Sequence, residues 1–174
     1  MSIEIPFFSI LIPSYNRPDE LSRCIGSIIV GPFEDYEIII SDDNSPRKSE
    51  IEAVVQSFGS GGKIRFYQQA SNLKEPDNKN FLVNQARGQF NIILGDDDTL
   101  AKEALSYLYN YIDIEPKSDI YGFGYRVVDE HGGHLSVNRS SRSVHLEGHV
   151  SRLKLLEAGL LPMAIFHPAT FCCR

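Results

Sequence analysis

The first hundred residues alternate between short apolar runs and amphipathic stretches, and no other feature limits the fold as much. Residues 7–13 (FFSILIP), 36–41 (YEIIIS), 63–68 (KIRFYQ) and 90–94 (FNIIL) are rich in β-branched and aromatic side chains and read as strands. Each is followed by a segment with helical signals. Pro18, Asp19 and Glu20 suit a first helical turn, Leu21, Cys24, Ile25 and Ile28 recur at helical spacing, and Gly31-Pro32 ends the segment. Residues 49–58 read as a second helix, closed by the glycine-rich stretch 59–62. Residues 77–87 read as a third, with Gly88 as its C-cap, and residues 101–112 as a fourth. Strand–helix alternation with short connections predicts a parallel sheet with right-handed crossovers. Near-continuous apolar strands predict a sheet covered on both faces.

After residue 100 the pattern changes. Residues 119–139 read as a strand, a turn at His131-Gly132-Gly133 and a returning strand. Residues 150–159 read as a further helix and 164–174 as a last strand. The expected fold is α/β and Rossmann-like: a central, mostly parallel sheet flanked by helices, with a β-hairpin late in the chain. A length of 174 residues fits a single domain, 1–174.

A formal net charge of -6 argues against a nucleic-acid-binding face, though not against a nucleotide as a small ligand. No run reaches the roughly 18 consecutive apolar residues of a membrane span, and the start lacks the basic leader and cleavage site of a signal peptide. Cys24, Cys172 and Cys173 have neither disulfide-framework nor metal spacing, so packing is their expected role. These features predict a cytoplasmic setting.

In open α/β sheets, ligands bind at the carboxyl ends of the strands. The segment Pro13-Ser14-Tyr15-Asn16-Arg17 follows the first strand, Asp42-Asp43-Asn44-Ser45 the second and Asp96-Asp97-Asp98 the fourth. Three adjacent carboxylates repel one another, and a hard divalent cation bound through one or two of them and through substrate phosphates would account for them. The competing explanation is helix capping, with Thr99-Leu100 opening the next helix. Asp42 and Asp43 suit a turn, in which Asn44 or Ser45 would cap the following helix, or hydrogen bonds to a base or ribose. Tyr15 suits either stacking on a base or the edge of the core.

The stretches FSILIPSYNRPDELSRCIGSII, YEIIISDDNS, ARGQFNIILGDDDTL and YGFGYRVVDEHGG occur in the order and spacing of family-2 glycosyltransferases. The chain resembles these inverting, nucleotide-sugar-dependent enzymes of the GT-A fold from about residue 7 to about residue 134. The resemblance implies that Pro13, Ser14, Tyr15 and Arg17 belong to the donor site, Pro13 and Tyr15 lining the nucleobase. It implies that Asp43 contacts the base, usually uracil, and that Asp96 lies near the ribose and diphosphate. Asp97 matches the metal carboxylate of the Asp-x-Asp motif, Asp98 could share the Mn²⁺ or Mg²⁺, and Lys79 faces either the phosphates or solvent.

The family's catalytic base, an Asp or Glu beyond the last core strand, is not matched. His167 and Arg174 are the wrong residue types, Asp129 and Glu130 fall in the expected hairpin turn and Glu147 is isolated, so no base is assigned. The chain is therefore expected to be the donor-binding portion of a longer enzyme, cut on its acceptor side, or a shortened homologue. The implied activity is transfer of a sugar from a nucleotide diphosphate, with UDP favoured, to a hydroxyl of a glycan or lipid-linked acceptor. It would serve cell-surface polysaccharide or glycolipid synthesis, with peripheral association at the inner face of the membrane. Two alternatives are a non-catalytic nucleotide-sugar-binding module and a nucleotidyltransferase. The second would carry a glycine-rich basic loop where this chain has Ser-Tyr-Asn-Arg.

Overall fold

A computed structural model describes residues 5–59, 61–114, 120–122, 124–129, 133–138 and 171–173. The expected alternation is present: β1 (Phe8–Ser14), α1 (Pro18–Ile29), β2 (Tyr36–Asp42), α2 (Lys48–Ser57), β3 (Ile64–Gln68), α3 (Glu75–Gln85), β4 (Phe90–Ile93) and α4 (Ala104–Ile114). Then come β5 (Ile120–Gly122), β6 (Tyr125–Val128), β7 (His134–Asn138) and β8 (Phe171–Cys173). The main sheet has the order β3-β2-β1-β4-β8-β5. Strands β3, β2, β1 and β4 run parallel, and β8 is antiparallel to both β4 and β5.

The segment expected as a single strand before the hairpin is divided. β5 joins the main sheet, whereas β6 and β7 pair antiparallel in a sheet of their own. The helix expected at 150–159 and most of the strand expected at 164–174 lie outside the described residues.

Burial follows the two-residue period of β1. Phe8, Ile10 and Ile12 face a core shared with Leu21, Cys24, Ile25 and Ile28 of α1, Ile51 and Val55 of α2, and Leu105, Leu108 and Ile112 of α4. Leu11, with Ile39 of β2, packs on the opposite face against Leu82 of α3. The sheet is thus covered on both sides because its strands carry apolar residues at both parities.

At the amino end the α3 face is polar. Glu37 of β2 is buried and accepts a hydrogen bond from Ser9 Oγ at 2.6 Å, from Arg65 Nη2 at 2.9 Å, and from the Arg87 backbone N–H and Nη2, each at 2.8 Å. Ser9 Oγ in turn accepts the Gly88 N–H at 2.7 Å. Gly88 is therefore not the C-cap of α3: the helix ends at Gln85, and Ala86 is its extended capping residue. A Cβ on Gly88 would lie 2.5 Å from the Ser9 backbone nitrogen, so glycine is required there for close approach of two backbones. Gly88→Ala is expected to destabilise the fold by about 2 kcal/mol through backbone displacement, readable as a lowered denaturant midpoint with an unchanged m-value.

Candidate donor-binding site

β1 and β4 are neighbours in the sheet, and their last backbone bond runs from Leu94 N–H to Leu11 O at 2.9 Å. α1, which follows β1, and α3, which precedes β4, lie on opposite faces. The carboxyl ends of β1 and β4 therefore flank a topological switch point, where open α/β sheets form their ligand crevices.

The aspartates sit at that crevice and do not begin a helix. Residues Gly95 to Asp98 form a turn closed by Asp98 N–H to Gly95 O at 3.1 Å, and α4 starts only at Ala104. The capping explanation of these residues is thereby removed. Asp96 folds back toward β1 and is 6% exposed. It accepts the Tyr15 backbone N–H at 3.2 Å and Arg17 Nη1 at 3.2 Å. The same Nη1 donates to Asp97 Oδ2 at 2.6 Å. Tyr15 and Arg17 lie 81 and 79 positions from Asp96 in sequence, and the strand-end loops bring them into contact with it.

Burial pushes the Asp96 carboxyl above its ordinary value, and the neighbouring charge of Asp97 adds to this. The Tyr15 N–H and the Arg17 guanidinium pull it the other way without cancelling the rise. Because the folded value is raised, the ionised carboxyl costs stability at neutral pH, and that cost shrinks as the pH falls below the folded value and is gone below the ordinary one. Ser14 is also buried. Its Oγ makes no hydrogen bond of normal geometry, although it lies near enough to Asp96 to favour the ionised form. Beneath the turn, the buried Cys24 thiol contacts Gly95 O at 3.5 Å. Desolvation and then the charges of Asp96, Asp98 and Asp97 hold this thiol far above its ordinary range, so it remains neutral packing.

The second loop is tied to the first. Asp43 N–H donates to Ser14 O at 2.9 Å, and Ser45 Oγ accepts the Asn16 N–H at 2.7 Å. Ser45 also donates its hydroxyl to Asp42, so neither it nor Asn44 caps α2, whose capping residue is Arg47. Asp43 is buried and accepts the Leu73 and Lys74 N–H groups at 2.6 and 3.1 Å, clamping the chain as it enters α3. Each of its oxygens retains a second lone pair for a ligand.

Asn78, which sequence reasoning missed, is buried and fixes α3 to β2. Its Nδ2 donates to Ser41 O at 3.1 Å, and its Oδ1 accepts from Ser41 Oγ at 2.6 Å. Its only sequence signal is a polar residue at an inward helical position. The described non-glycine residues with positive φ, Asn16, Asn44 and Lys74, all lie in loops at this rim. Such strain persists only where surrounding structure fixes it, and it is common at ligand sites.

Pro13 is half-buried in β1, and Tyr15 is 48% exposed at the rim, with its ring accessible to a ligand. Lys79 pairs with Glu75 one turn earlier on α3, and no described contact joins it to the aspartates.

A divalent ion is implied by the resemblance, and the residues fit one. A Cβ on Gly95 would lie 3.0 Å from Asp97 Oδ1 and 3.0 Å from Asp98 Oδ2. Two carboxylates thus reach over the same point of the turn. Among the described residues no group of three or more Asp, Glu, His or Cys side chains is placed to hold a metal. An ion held by these two carboxylates would have to complete its shell with phosphate and water oxygens, as Mg²⁺ commonly does.

The chain is similar to known proteins in sequence and in fold. The chain is 32% identical over 156 residues to GalNAc(5)-diNAcBac-PP-undecaprenol beta-1,3-glucosyltransferase of Campylobacter jejuni, covering 88% of this chain and 48% of that protein. It is 38% identical over 117 residues to abequosyltransferase RfbV of Salmonella typhimurium, covering 65% of this chain and 34% of the relative. The chain spans about half or less of the length of these curated relatives. Its fold matches Staphylococcus aureus TarS 1-349 in complex with UDP-GlcNAc at a TM-score of 0.64 and 23% identity, over 74% of this chain and 37% of that one. It also matches a Pyrobaculum calidifontis mannosyltransferase in complex with GDP-Man and Mn²⁺ at a TM-score of 0.60 and 13% identity, over 70% and 36% of the two chains. The family described as Glycosyl transferase family 2 matches residues 9–171, nearly the whole sequence. With its GT-A sheet and its aspartate turn at the switch point, the chain belongs to glycosyl transferase family 2.

Proposed function

We infer that this chain binds a nucleoside diphosphate sugar across the carboxyl ends of β1, β2 and β4, and that its protein transfers the sugar to an acceptor hydroxyl with inversion. The observation that carries the inference is Asp96, a buried carboxylate at the switch point, bonded to the loop after β1 and followed by two carboxylates that reach over one point. In this reading the exposed Tyr15 ring stacks on the base, held beside Pro13 and Ser14 at the end of β1. Asp43 accepts a base N–H with its remaining lone pairs while it holds the Leu73–Lys74 segment that walls the pocket. Asp96, near the ribose and diphosphate, orients the Tyr15 loop, and Lys79 lies further out along α3. Asp97 and Asp98 would hold the Mn²⁺ or Mg²⁺, which when bound neutralises charge on the leaving diphosphate.

The activities for which the relatives are named support a surface-glycan setting. One acts on an undecaprenol-linked glycan, and others, 33% identical over 108 and 115 residues, on poly(ribitol-phosphate). A lipid-linked or polymeric acceptor met at the inner face of the membrane follows by analogy. Among the described residues no helix is long and apolar enough to cross a membrane.

The test is thermal melting of the chain with UDP, GDP, CDP and dTDP, each with Mn²⁺. One nucleotide, UDP by resemblance, is expected to raise the midpoint well above the rest, because a ligand selective for the folded state stabilises it by mass action. No shift with any of them would contradict the inference.

A further inference from the structure

The placement of Arg17 is unusual for a cation. It is the residue before α1, at the helix end where the dipole disfavours positive charge, and its side chain makes no capping hydrogen bond. Its counterions are Asp96 and Asp97, and one nitrogen, Nη1, serves both, at 3.2 and 2.6 Å. One guanidinium nitrogen between two carboxylates thus brings positive charge to both. The side chain is half exposed and the partnered Asp97 is exposed, whereas Asp96 is buried. The bond to Asp97 is therefore the one that can be given up at little cost.

We propose that Arg17 is an internal counterion that competes with the divalent ion for Asp97 and, once displaced, grips the diphosphate. This rests on the donor-site reading above. In the free protein, Arg17 offsets part of the repulsion among Asp96, Asp97 and Asp98. An ion arriving alone must break the Arg17–Asp97 pair and leave the guanidinium with only its longer bond to Asp96. An ion arriving with a diphosphate brings a new partner, because a guanidinium bonds phosphate oxygens through paired N–H donors. Metal and nucleotide therefore bind cooperatively, each strengthening the other by the same factor.

The experiment measures Mn²⁺ binding alone, from the loss of the free-ion electron paramagnetic resonance signal, and UDP binding at saturating Mn²⁺, by calorimetry. It uses the full chain as wild type, Arg17→Gln and Arg17→Lys, each shown to be folded by thermal melting. Arg17→Gln is expected to bind Mn²⁺ alone about fivefold more tightly, the weight of one partly exposed ion pair, and to bind UDP about fivefold more weakly. Arg17→Lys keeps the charge and is expected to stay near wild type for Mn²⁺ alone. Unchanged or weaker Mn²⁺ binding in Arg17→Gln overturns the proposal, even if UDP binding falls, because Arg17 is then only a phosphate ligand. Tighter Mn²⁺ binding with no nucleotide binding in any form upholds the competition and refutes the donor-site reading instead.

Discussion

Asp97→Ala is expected to lower metal-dependent affinity for the nucleotide diphosphate by at least about 100-fold, since altering even the supporting partners of a metal ligand costs about 10- to 100-fold. Thermal stability is expected to change little. Asp97 lies in an exposed turn and pairs with a half-exposed arginine, and such pairs contribute about 1 kcal/mol or less. Calorimetric titration with UDP and Mn²⁺ measures the first quantity and a melting curve the second. This combination separates a binding role from a structural one. An unaltered affinity would show that the ion is held elsewhere, and a collapsed fold would show that the turn depends on this carboxylate.

Glu37→Ala is expected to have the opposite profile, a loss of about 3 kcal/mol of stability from a residue at the far end of the sheet from the aspartates. Removing the carboxylate strips Ser9, Arg65 and Arg87 of their shared acceptor. The expected loss sits at the low end for breaking a buried ion pair, because both guanidinium groups keep part of their surface in water.

The pH dependence follows from the direction of the Glu37 shift. Burial is the largest single influence and pushes the carboxyl up, but hydrogen bonds from Ser9 and Arg87 and the charge of Arg65 together hold it below its ordinary 4.5. A depressed folded value means that the contribution is fully present above about 4.5 and is lost as the pH falls through the folded value. The stability gap between wild type and Glu37→Gln should therefore be constant from neutral pH down to about 5 and narrow in stronger acid. Denaturant unfolding across that range measures it. A gap independent of pH would mean that Glu37 acts by packing alone.

These two carboxylates also show what the sequence disclosed. The alternation of strand and helix survived intact because apolar runs at both parities leave a parallel sheet few other arrangements. The rim was legible for the same reason: once β1, β2 and β4 run parallel, whatever follows each of them meets at one edge. Ser9 and Glu37 were hidden within those runs. An isolated polar residue in an apolar strand has no local signature, and the partners of Glu37 lie 28 and 50 positions away.

Gly88 is not legible as a close-approach residue because capping and close approach both call for glycine, and only the position of Ser9 distinguishes them. Ser45, one of two residues that suit a cap of the following helix, is ambiguous for a similar reason. A serine ahead of a helix is a good cap, yet this one links the loops after β1 and β2. The contact between Arg17 and the aspartates depends on loop geometry, which strand periodicity does not encode.

The most direct measurement is anomalous diffraction at the manganese edge from crystals of this chain grown with UDP and Mn²⁺. The expected result is one strong peak within coordinating distance of the Asp97 and Asp98 carboxylates, adjoining diphosphate oxygens, with the base against Tyr15 and the Arg17 guanidinium turned toward the phosphates. Nucleotide bound away from the β1–β4 switch point, or bound there with no metal near Asp97, would contradict the account.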